Sequence, residues 1–415
     1  MDVIVTNRGV YGEFESLSSK SDFLRLLLCS LFSCEPTKIV FNNDCDDIKF
    51  GINAAKSLGI TVLNDDNGLT FYNQKNKKDY AEINCGESGA LLRFLMPCAN
   101  NFCKTVKFTG NSSLASRPIK GFIELLSRHG LKFSNNKLPF EVSGKLKSGD
   151  YYISGDVSSQ FVSGLLFILP VLEGDSKIIV TSKLESEKYV DLTIKRLLDF
   201  GIKIIKEGKE ILIPGGQNYK SAGEYKAEGD WSYAAALMCV GASCGEVFVK
   251  GLDLKSVQPD KRIMDIFKDI GVDVECRKDG ILVKKSVFNG IVTDLSGCPD
   301  LFPVLAALLS CAESESTFYG TKRLIYKESN RLYSVSTVLN ELGANVEYSE
   351  HSVKINPVKK LKGGQVSSFN DHRVVMAATV AAKMCERDVK IMGADCVKKS
   401  ALGFLEVIDS CTRSD

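Results

Sequence analysis

The sequence predicts an α/β (α+β) protein of two globular domains, and three observations carry that expectation. The chain has 415 residues, more than one hydrophobic core usually serves, so two domains of roughly 200 residues each are expected. Apolar residues make up 44% and charged residues 25%, which supplies core enough for both and excludes the disordered and fibrous classes. A helix that ends in glycine and passes at once into an alternating strand recurs along the chain, reading AAKSLGITVL, ELLSRHGLKF, RLLDFGIKI, DIFKDIGVDVE and VLNELGANVE.

The glycines of that repeat are Gly59, Gly130, Gly201, Gly271 and Gly343, spaced by 71, 71, 70 and 72 residues. Each suits the left-handed position that ends a helix, and the Ile, Val and Phe alternation after it suits a half-buried strand. One further period reaches position 414, just after the apolar helix expected at 402–408, so a sixth repeat is expected without its following strand. A strand in need of a partner stands at the other end, at residues 2–6, apolar and β-branched. It is expected to complete a C-terminal domain made of residues 1–15 and 229–415, with 16–228 as the N-terminal domain and three repeats in each. The chain then crosses twice, near 12–18 and 225–229, and because no Pro-rich or Gly/Ser-rich linker is visible, a short two-stranded hinge is expected.

Lys and Arg number 53 against 51 Asp and Glu, a formal charge of +2, which gives no electrostatic reason to expect a nucleic-acid partner. The fourteen cysteines include no C-x-x-C pair, and a chain of this length needs no disulfide framework, so they are read as reduced, mostly buried thiols with no metal among them. The longest apolar stretches, 164–172 and 301–312, fall short of the ~18–20 residues that cross a bilayer. No signal or transit pattern precedes Asp2. A cytoplasmic monomer with no membrane partner is expected.

Polar clusters fall at two phases of the repeat. About 35–43 residues before each glycine come Lys20 and Arg25, Arg93, Gln160, Asp230 and Asp300, with Arg373 in the same phase of the sixth repeat. About 12–16 residues before come Arg117, Ser186, Tyr189, Lys327 and Arg331, with Lys399 in the sixth. Both sets are expected at helix N-termini, whose unpaired N–H groups and positive dipole end seat phosphate or carboxylate. Cations disfavour that end, so their concentration there implies an anion that offsets the placement. Any one of them taken singly reads as a surface charge.

SSKSDFLRLLL suits an N-terminus that holds a phosphate or carboxylate, with Arg25 one turn on, or else a plain cap. GESGALLRF sets Gly86 and Gly89 ahead of Arg93, a loop that lets backbone approach a ligand. SSQF places Ser158, Ser159 and Gln160 at the head of a buried helix, where capping accounts for one serine. Asp300 lies at the mouth of the apolar helix PDLFPVLA, where desolvation is expected to raise its proton affinity toward that of a useful base, unless it only caps. Glu328, between Lys327 and Arg331, reads either as part of an ion pair or as part of an acid/base site. In FNDHRVV, Asp371 is expected to cap while His372 and Arg373 face a ligand.

In order along the chain, SKSDFLR, GESGALLR, SRPI, SSQF, SEKYVDLT, EGDWS, PDLFPVLA, KESNRL, NDHR and CVKKS resemble the signature set of the 5-enolpyruvylshikimate-3-phosphate synthases, within the enolpyruvyl transferase family. The resemblance runs nearly end to end. It implies an inside-out α/β barrel fold: two globules, each of three βαβαββ units, that close on substrates held between them. It also implies transfer of the enolpyruvyl group of phosphoenolpyruvate to the 5-hydroxyl of shikimate 3-phosphate, with no metal or organic cofactor.

By the same resemblance, Lys20, Ser21, Arg25, Ser158, Ser159, Gln160 and Ser186 would bind shikimate 3-phosphate, with Tyr189 nearby and Asp300 and Lys327 on the ring hydroxyls. Lys20, Gly89, Arg93, Arg117, Gln160, Arg331, Arg373 and Lys399 would surround phosphoenolpyruvate. Asp300 would be the base, and either Glu328 or Lys20 the acid. Glu87, Ala90 and Asn330 depart from the common Asn, Thr and Asp of the pattern, which implies tuned affinity with activity kept. The related transferase acting on UDP-N-acetylglucosamine shares the repeats but uses a loop cysteine that NSSLASRP lacks. RNA 3′-phosphate cyclase would want a nucleophilic histidine and a basic face. A non-catalytic anion-binding relative would need no Asp300, Glu328 or Lys20.

Overall fold

In the computed structural model all residues are described except 75, 156–157 and 413–415, so the sixth repeat position, 414, lies outside the described residues. The five repeat glycines all have positive φ, from 75° to 103°. At Gly271 the left-handed residue is the helix cap itself, and at the other four it is the residue after the cap. A Cβ at such a φ is strained, which is why glycine recurs there.

Two compact units emerge, an N-terminal unit of residues 18–227 and a C-terminal unit of 1–17 with 228–415. Each contains three small open sheets. In the sheet of Lys78–Asn84, Cys103–Thr109, Leu131–Phe133 and Phe140–Gly144, the first two strands run parallel. The fourth lies antiparallel between the second and third. This order recurs in five four-stranded sheets. The sixth has three strands, Gly364–Ser367, Val389–Met392 and the N-terminal Val3–Val5, which pairs antiparallel with Val389–Met392 in the place of a fourth strand.

The strand at each crossing stays with its own unit. Tyr11–Glu15 runs into the first helix of the N-terminal unit yet pairs with Glu246–Lys250 of the C-terminal unit. Glu224–Lys226 runs toward the C-terminal unit yet pairs with Thr37–Val40 of the N-terminal one. Periodicity could not show these pairings, because the strand that opens each of these sheets is not the one next in sequence. The boundaries shift accordingly from 15/16 and 228/229 to 17/18 and 227/228. Ser16 N–H donates to the Lys250 carbonyl and Asp230 N–H to that of Leu17, while Ala227 N–H donates to Val40.

Helices lie inside and sheets outside. In the C-terminal unit Trp231–Cys244, Phe302–Leu309 and His372–Ala382 pack on one another, and every residue of the latter two is buried. In the N-terminal unit Gly89–Leu95 packs against both Lys20–Phe32 and Ser159–Ile168. Each fully buried Leu, Val or Phe on them contributes about 1.5–3 kcal/mol. Close approach is enforced at Gly164, where a Cβ would lie 2.3 Å from the Arg93 carbonyl oxygen. The second helix of each repeat is amphipathic instead, as in Ile263–Ile270, with Ile263, Ile266, Phe267 and Ile270 buried. Among the described residues no helix is long and apolar enough to cross a membrane, and all fourteen cysteines are free thiols.

Candidate functional site

The inner helices carry the candidate residues at or near their N-terminal ends, and each unit has its own group of them. In the N-terminal unit Ser19 caps Lys20–Phe32 through the Asp22 N–H. Lys20 Nζ lies 3.0 Å from Asp47 Oδ2. Arg25, only 2% exposed, donates from Nε to Thr193 Oγ1 at 2.9 Å and from Nη1 and Nη2 to the carbonyls of Ser21 and Tyr189 at 2.6 and 2.9 Å. Its guanidinium also sits 5.1 Å from the Phe94 ring and 5.7 Å from that of Tyr189. Burial pushes its pKa down to about 10, with Asp22 opposing. Both oxygens of Asp22 already accept from Arg196, at 2.6 Å each.

Gly89 gathers the next set. A Cβ there would lie 3.1 Å from Arg117 Nη1, 3.5 Å from Arg93 Nη1 and 3.7 Å from Gln160 Oε1. Arg93 Nη1 donates to that Gln160 oxygen at 2.6 Å, and its guanidinium stacks 5.1 Å from Phe161. Ser158 caps the Ser159–Ile168 helix through the Gln160 N–H. Ser186 begins Glu187–Asp199 with a left-handed φ of 55°, a conformation that costs a non-glycine residue about 1–3 kcal/mol and is held by its surroundings.

In the C-terminal unit the charges alternate. Asp300 Oδ1 accepts from Lys327 Nζ at 2.9 Å and Arg331 Nη1 at 2.7 Å, and Arg373 Nη2 lies 3.8 Å from its Oδ2. Arg331, 1% exposed, also donates to both oxygens of Asp371 at 2.9 and 3.2 Å and to Glu328 Oε2 at 2.7 Å. Lys399 Nζ reaches Glu328 Oε1 at 3.1 Å. Asp371 also caps His372–Ala382 through the Arg373 N–H and accepts from the Ser329 hydroxyl. Phe369 and Asn370, just before it, are left-handed with φ of 49° and 53°, so strain again adjoins the charged group.

Several expectations are corrected. Burial does raise the proton affinity of Asp300, but Lys327, Arg373 and Arg331 outweigh it and hold the carboxyl well below its ordinary range. The free carboxylate is therefore ionised and a weak base. His372 is 1% exposed, with Nδ1 3.7 Å from Asp371 Oδ1. Arg93 is the fifth residue of Gly89–Leu95, and Arg117, Lys327 and Lys399 precede the helices Lys120–Arg128, Arg331–Glu341 and Phe404–Ser410, so these four lie about a turn from a helix start and not on it. Arg117 lies between the short helix Ser112–Ala115 and Lys120–Arg128, while Lys327 and Lys399 close 3-10 turns. The inference that cations at helix starts require an external anion also narrows. Arg331 is met by the carboxylates of Asp300, Glu328 and Asp371, and Lys20 by that of Asp47.

Asp47 escaped the sequence reading although it stands 12 residues before Gly59, in the second phase of the repeat. Asp260, 11 before Gly271, falls just outside that phase and also went unread. The three departures have local explanations or none. Asn330 caps Arg331–Glu341 through the Tyr333 N–H, as an aspartate would. Glu87 accepts from the Asn111 amide, and nothing in the structure explains Ala90.

The architecture matches solved structures. An EPSP synthase from Acinetobacter baumannii superposes with a TM-score of 0.82 at 22% identity, covering 99% of this chain and 98% of that one. The enolpyruvyl transferase NikO from Streptomyces tendae gives 0.81 at 14% identity, over 99% and 96%. The fold is thus that of the enolpyruvyl transferases. The model of one family, EPSP synthase (3-phosphoshikimate 1-carboxyvinyltransferase), matches residues 6–408. A 3-phosphoshikimate 1-carboxyvinyltransferase from Clostridium kluyveri is 40% identical over 401 residues, 95% of this chain and 93% of that protein. The chain belongs to the EPSP synthase family.

Proposed function

We propose that this enzyme transfers the enolpyruvyl group of phosphoenolpyruvate to the 5-hydroxyl of shikimate 3-phosphate, releasing phosphate. Family membership supports the reaction, and one observation carries the division of roles: an ionised Asp300 set among Lys327, Arg331 and Arg373. Ser21, Arg25, Ser158, Ser159, Gln160 and Ser186 bind shikimate 3-phosphate, with Lys327 and Asp300 on its hydroxyls. Lys20, Arg93, Arg117, Gln160, Arg331, Arg373 and Lys399 hold phosphoenolpyruvate, and Gly89 leaves room for it.

In the addition step an acid protonates the methylene carbon, the 5-oxygen bonds to the adjacent carbon and Asp300 takes the hydroxyl proton. In the elimination step the group that protonated the methylene carbon takes a proton back from the methyl carbon as the carbon–oxygen bond to phosphate breaks and phosphate leaves. Substrate anions that draw on Arg331 and Arg373 weaken their hold on Asp300, so its basicity rises when substrate is present. The same cations stabilise the charge that develops. For the acid, the ion pairs favour Lys20, an ammonium that carries a proton to give, over Glu328, both of whose oxygens accept from cations. The reading takes the chain to act as a cytoplasmic monomer on small molecules, and its free thiols accord with a reducing compartment.

Phosphate release from phosphoenolpyruvate tests the reaction. Release is expected with shikimate 3-phosphate and not with UDP-N-acetylglucosamine as acceptor. Release with the second alone would overturn the proposal.

A further inference from the structure

Within electrostatic reach of Asp300 lies a second carboxyl that the mechanism above does not use. Asp260 sits on the turn Pro259–Arg262 and is 2% exposed. Its Oδ2 accepts from the Ser232 hydroxyl, and its Oδ1 is buried with no hydrogen-bond partner. An ionised carboxylate with a bare buried oxygen is costly, whereas a protonated one is tolerated.

The charges acting on it come from three other segments. They are Asp300 before the Phe302–Leu309 helix, Arg373 in the first turn of His372–Ala382, and Asp230 at the cap of Trp231–Cys244. On its own turn the cations are directed elsewhere, Lys261 to the Leu254 carbonyl and Arg262 to the Thr293 hydroxyl. Arg373 is thus under the influence of three aspartates, Asp300, Asp230 and Asp260, which together raise its pKa against burial. With Asp300 ionised, an ionised Asp260 would draw further on the single positive charge of Arg373.

We propose that Asp260 is a positioning residue that sets how much of the Arg373 charge is available to the anionic substrate, by holding a proton when phosphoenolpyruvate binds and opposing binding when it loses that proton. The proposal rests on the assignment of Arg373 to phosphoenolpyruvate. Burial pushes the Asp260 carboxyl up to about 7, Asp300 and Asp230 add to the push, and Arg373 and the Ser232 hydrogen bond oppose it. Asp300 is driven the opposite way by its cations, so two carboxyls of one unit are separated in proton affinity, one neutral and one ionised at mildly acidic pH.

The test compares wild type with Asp260→Asn, which keeps an oxygen for Ser232 and is neutral at every pH. KM for phosphoenolpyruvate is measured at saturating shikimate 3-phosphate from pH 6 to 9, and the ratio of the two enzymes cancels ionisation of the substrates themselves. Near pH 6 the ratio of wild-type to variant KM is expected to be close to one. It should rise about five- to tenfold as pH passes through about 7, with the kcat ratio flat. A KM ratio that does not change with pH would overturn the inference.

Two further readouts separate this from a packing role. Ser232→Ala removes a hydrogen bond that lowers the Asp260 pKa, so the midpoint of the KM curve should move to higher pH, and an unmoved midpoint counts against the proposal. Thermal stability gives the other. A carboxyl whose folded-state pKa is raised contributes stability that is lost as pH rises from the unfolded value through about 7. The melting temperature of Asp260→Asn should therefore gain on wild type between pH 5 and 8, and a constant difference would mean that only packing had changed. Absence of phosphate release by wild type at any pH would remove the proposed function itself, whereas release with parallel pH profiles removes this inference alone.

Discussion

Arg25 and Arg331 are almost equally buried, one in each unit, and they are held in opposite ways. Arg25 donates to one hydroxyl and two backbone carbonyls, all neutral, and the nearby Asp22 is committed to Arg196. Arg331 donates to Asp300, Glu328 and Asp371, all carboxylates. Burial accordingly lowers the pKa of Arg25, whereas for Arg331 the three carboxylates more than offset it. A guanidinium fixed by neutral acceptors keeps its charge for an incoming anion. One shared among carboxylates keeps those carboxylates ionised and aligned. The first arrangement suits binding and the second suits proton transfer, and this difference between the units is what the proposed mechanism uses.

The sharpest test of the proton-handling side is Asp300→Ala. Turnover should fall about 10²–10⁴-fold, the usual worth of a positioned general base, while both substrates still bind, as steady-state and equilibrium measurements would show. A variant near the wild-type rate would remove Asp300 from the chemistry.

Next in size is the stability contrast. Arg331→Met leaves three buried or half-buried carboxylates without their shared cation and should cost about 3–5 kcal/mol. Arg25→Met leaves only neutral acceptors behind and should cost about 1–2 kcal/mol. Urea denaturation of the two variants reads the difference, and equal costs would break the comparison.

Acid provides a smaller effect. The depressed pKa of Asp300 contributes stability that is present above the unfolded carboxylate value of about 4 and lost as pH falls below it. Asp300→Asn should therefore be less stable than wild type at pH 7 and converge on it below pH 4. A gap that persists in acid would mean that the ion pairs contribute little. The smallest effect concerns thiols. Cys34 and Cys276 are exposed, one in each unit, whereas burial pushes Cys29 and Cys239 up. A thiol reagent should modify Cys34 and Cys276 first. Slow modification of Cys29 or Cys239 then reports opening of the N-terminal or C-terminal unit, and Arg331→Met should speed the second more than Arg25→Met speeds the first.

Much of the fold was legible because one physical requirement recurs. A helix that stops and turns back into a strand wants a left-handed residue, and Gly59, Gly130, Gly201, Gly271 and Gly343 mark it at nearly constant spacing. The units to which Tyr11–Glu15 and Glu224–Lys226 belong were legible, but their pairing partners were not, because pairing between strands so far apart in sequence leaves no trace in local periodicity. Within the site, the residue types at helix starts pointed to anion chemistry, and Gly89 does bring Arg93, Arg117 and Gln160 together. The charge state of Asp300 could not be read from its own segment, since Arg331 and Arg373 reach it from the first turns of two other helices and Lys327 from the end of a 3-10 turn. Asp47 stands in the second phase, 12 residues before Gly59, and Asp260 just outside it, 11 before Gly271, and neither segment carries a mark of the partners these acids meet.

The account stands most directly on the binding of shikimate 3-phosphate, measured by calorimetry on wild type, Arg25→Met and Asp300→Ala. It predicts that Arg25→Met loses the greater part of the affinity, while Asp300→Ala binds within several-fold of wild type and loses turnover. Affinity retained by Arg25→Met and abolished in Asp300→Ala would contradict it.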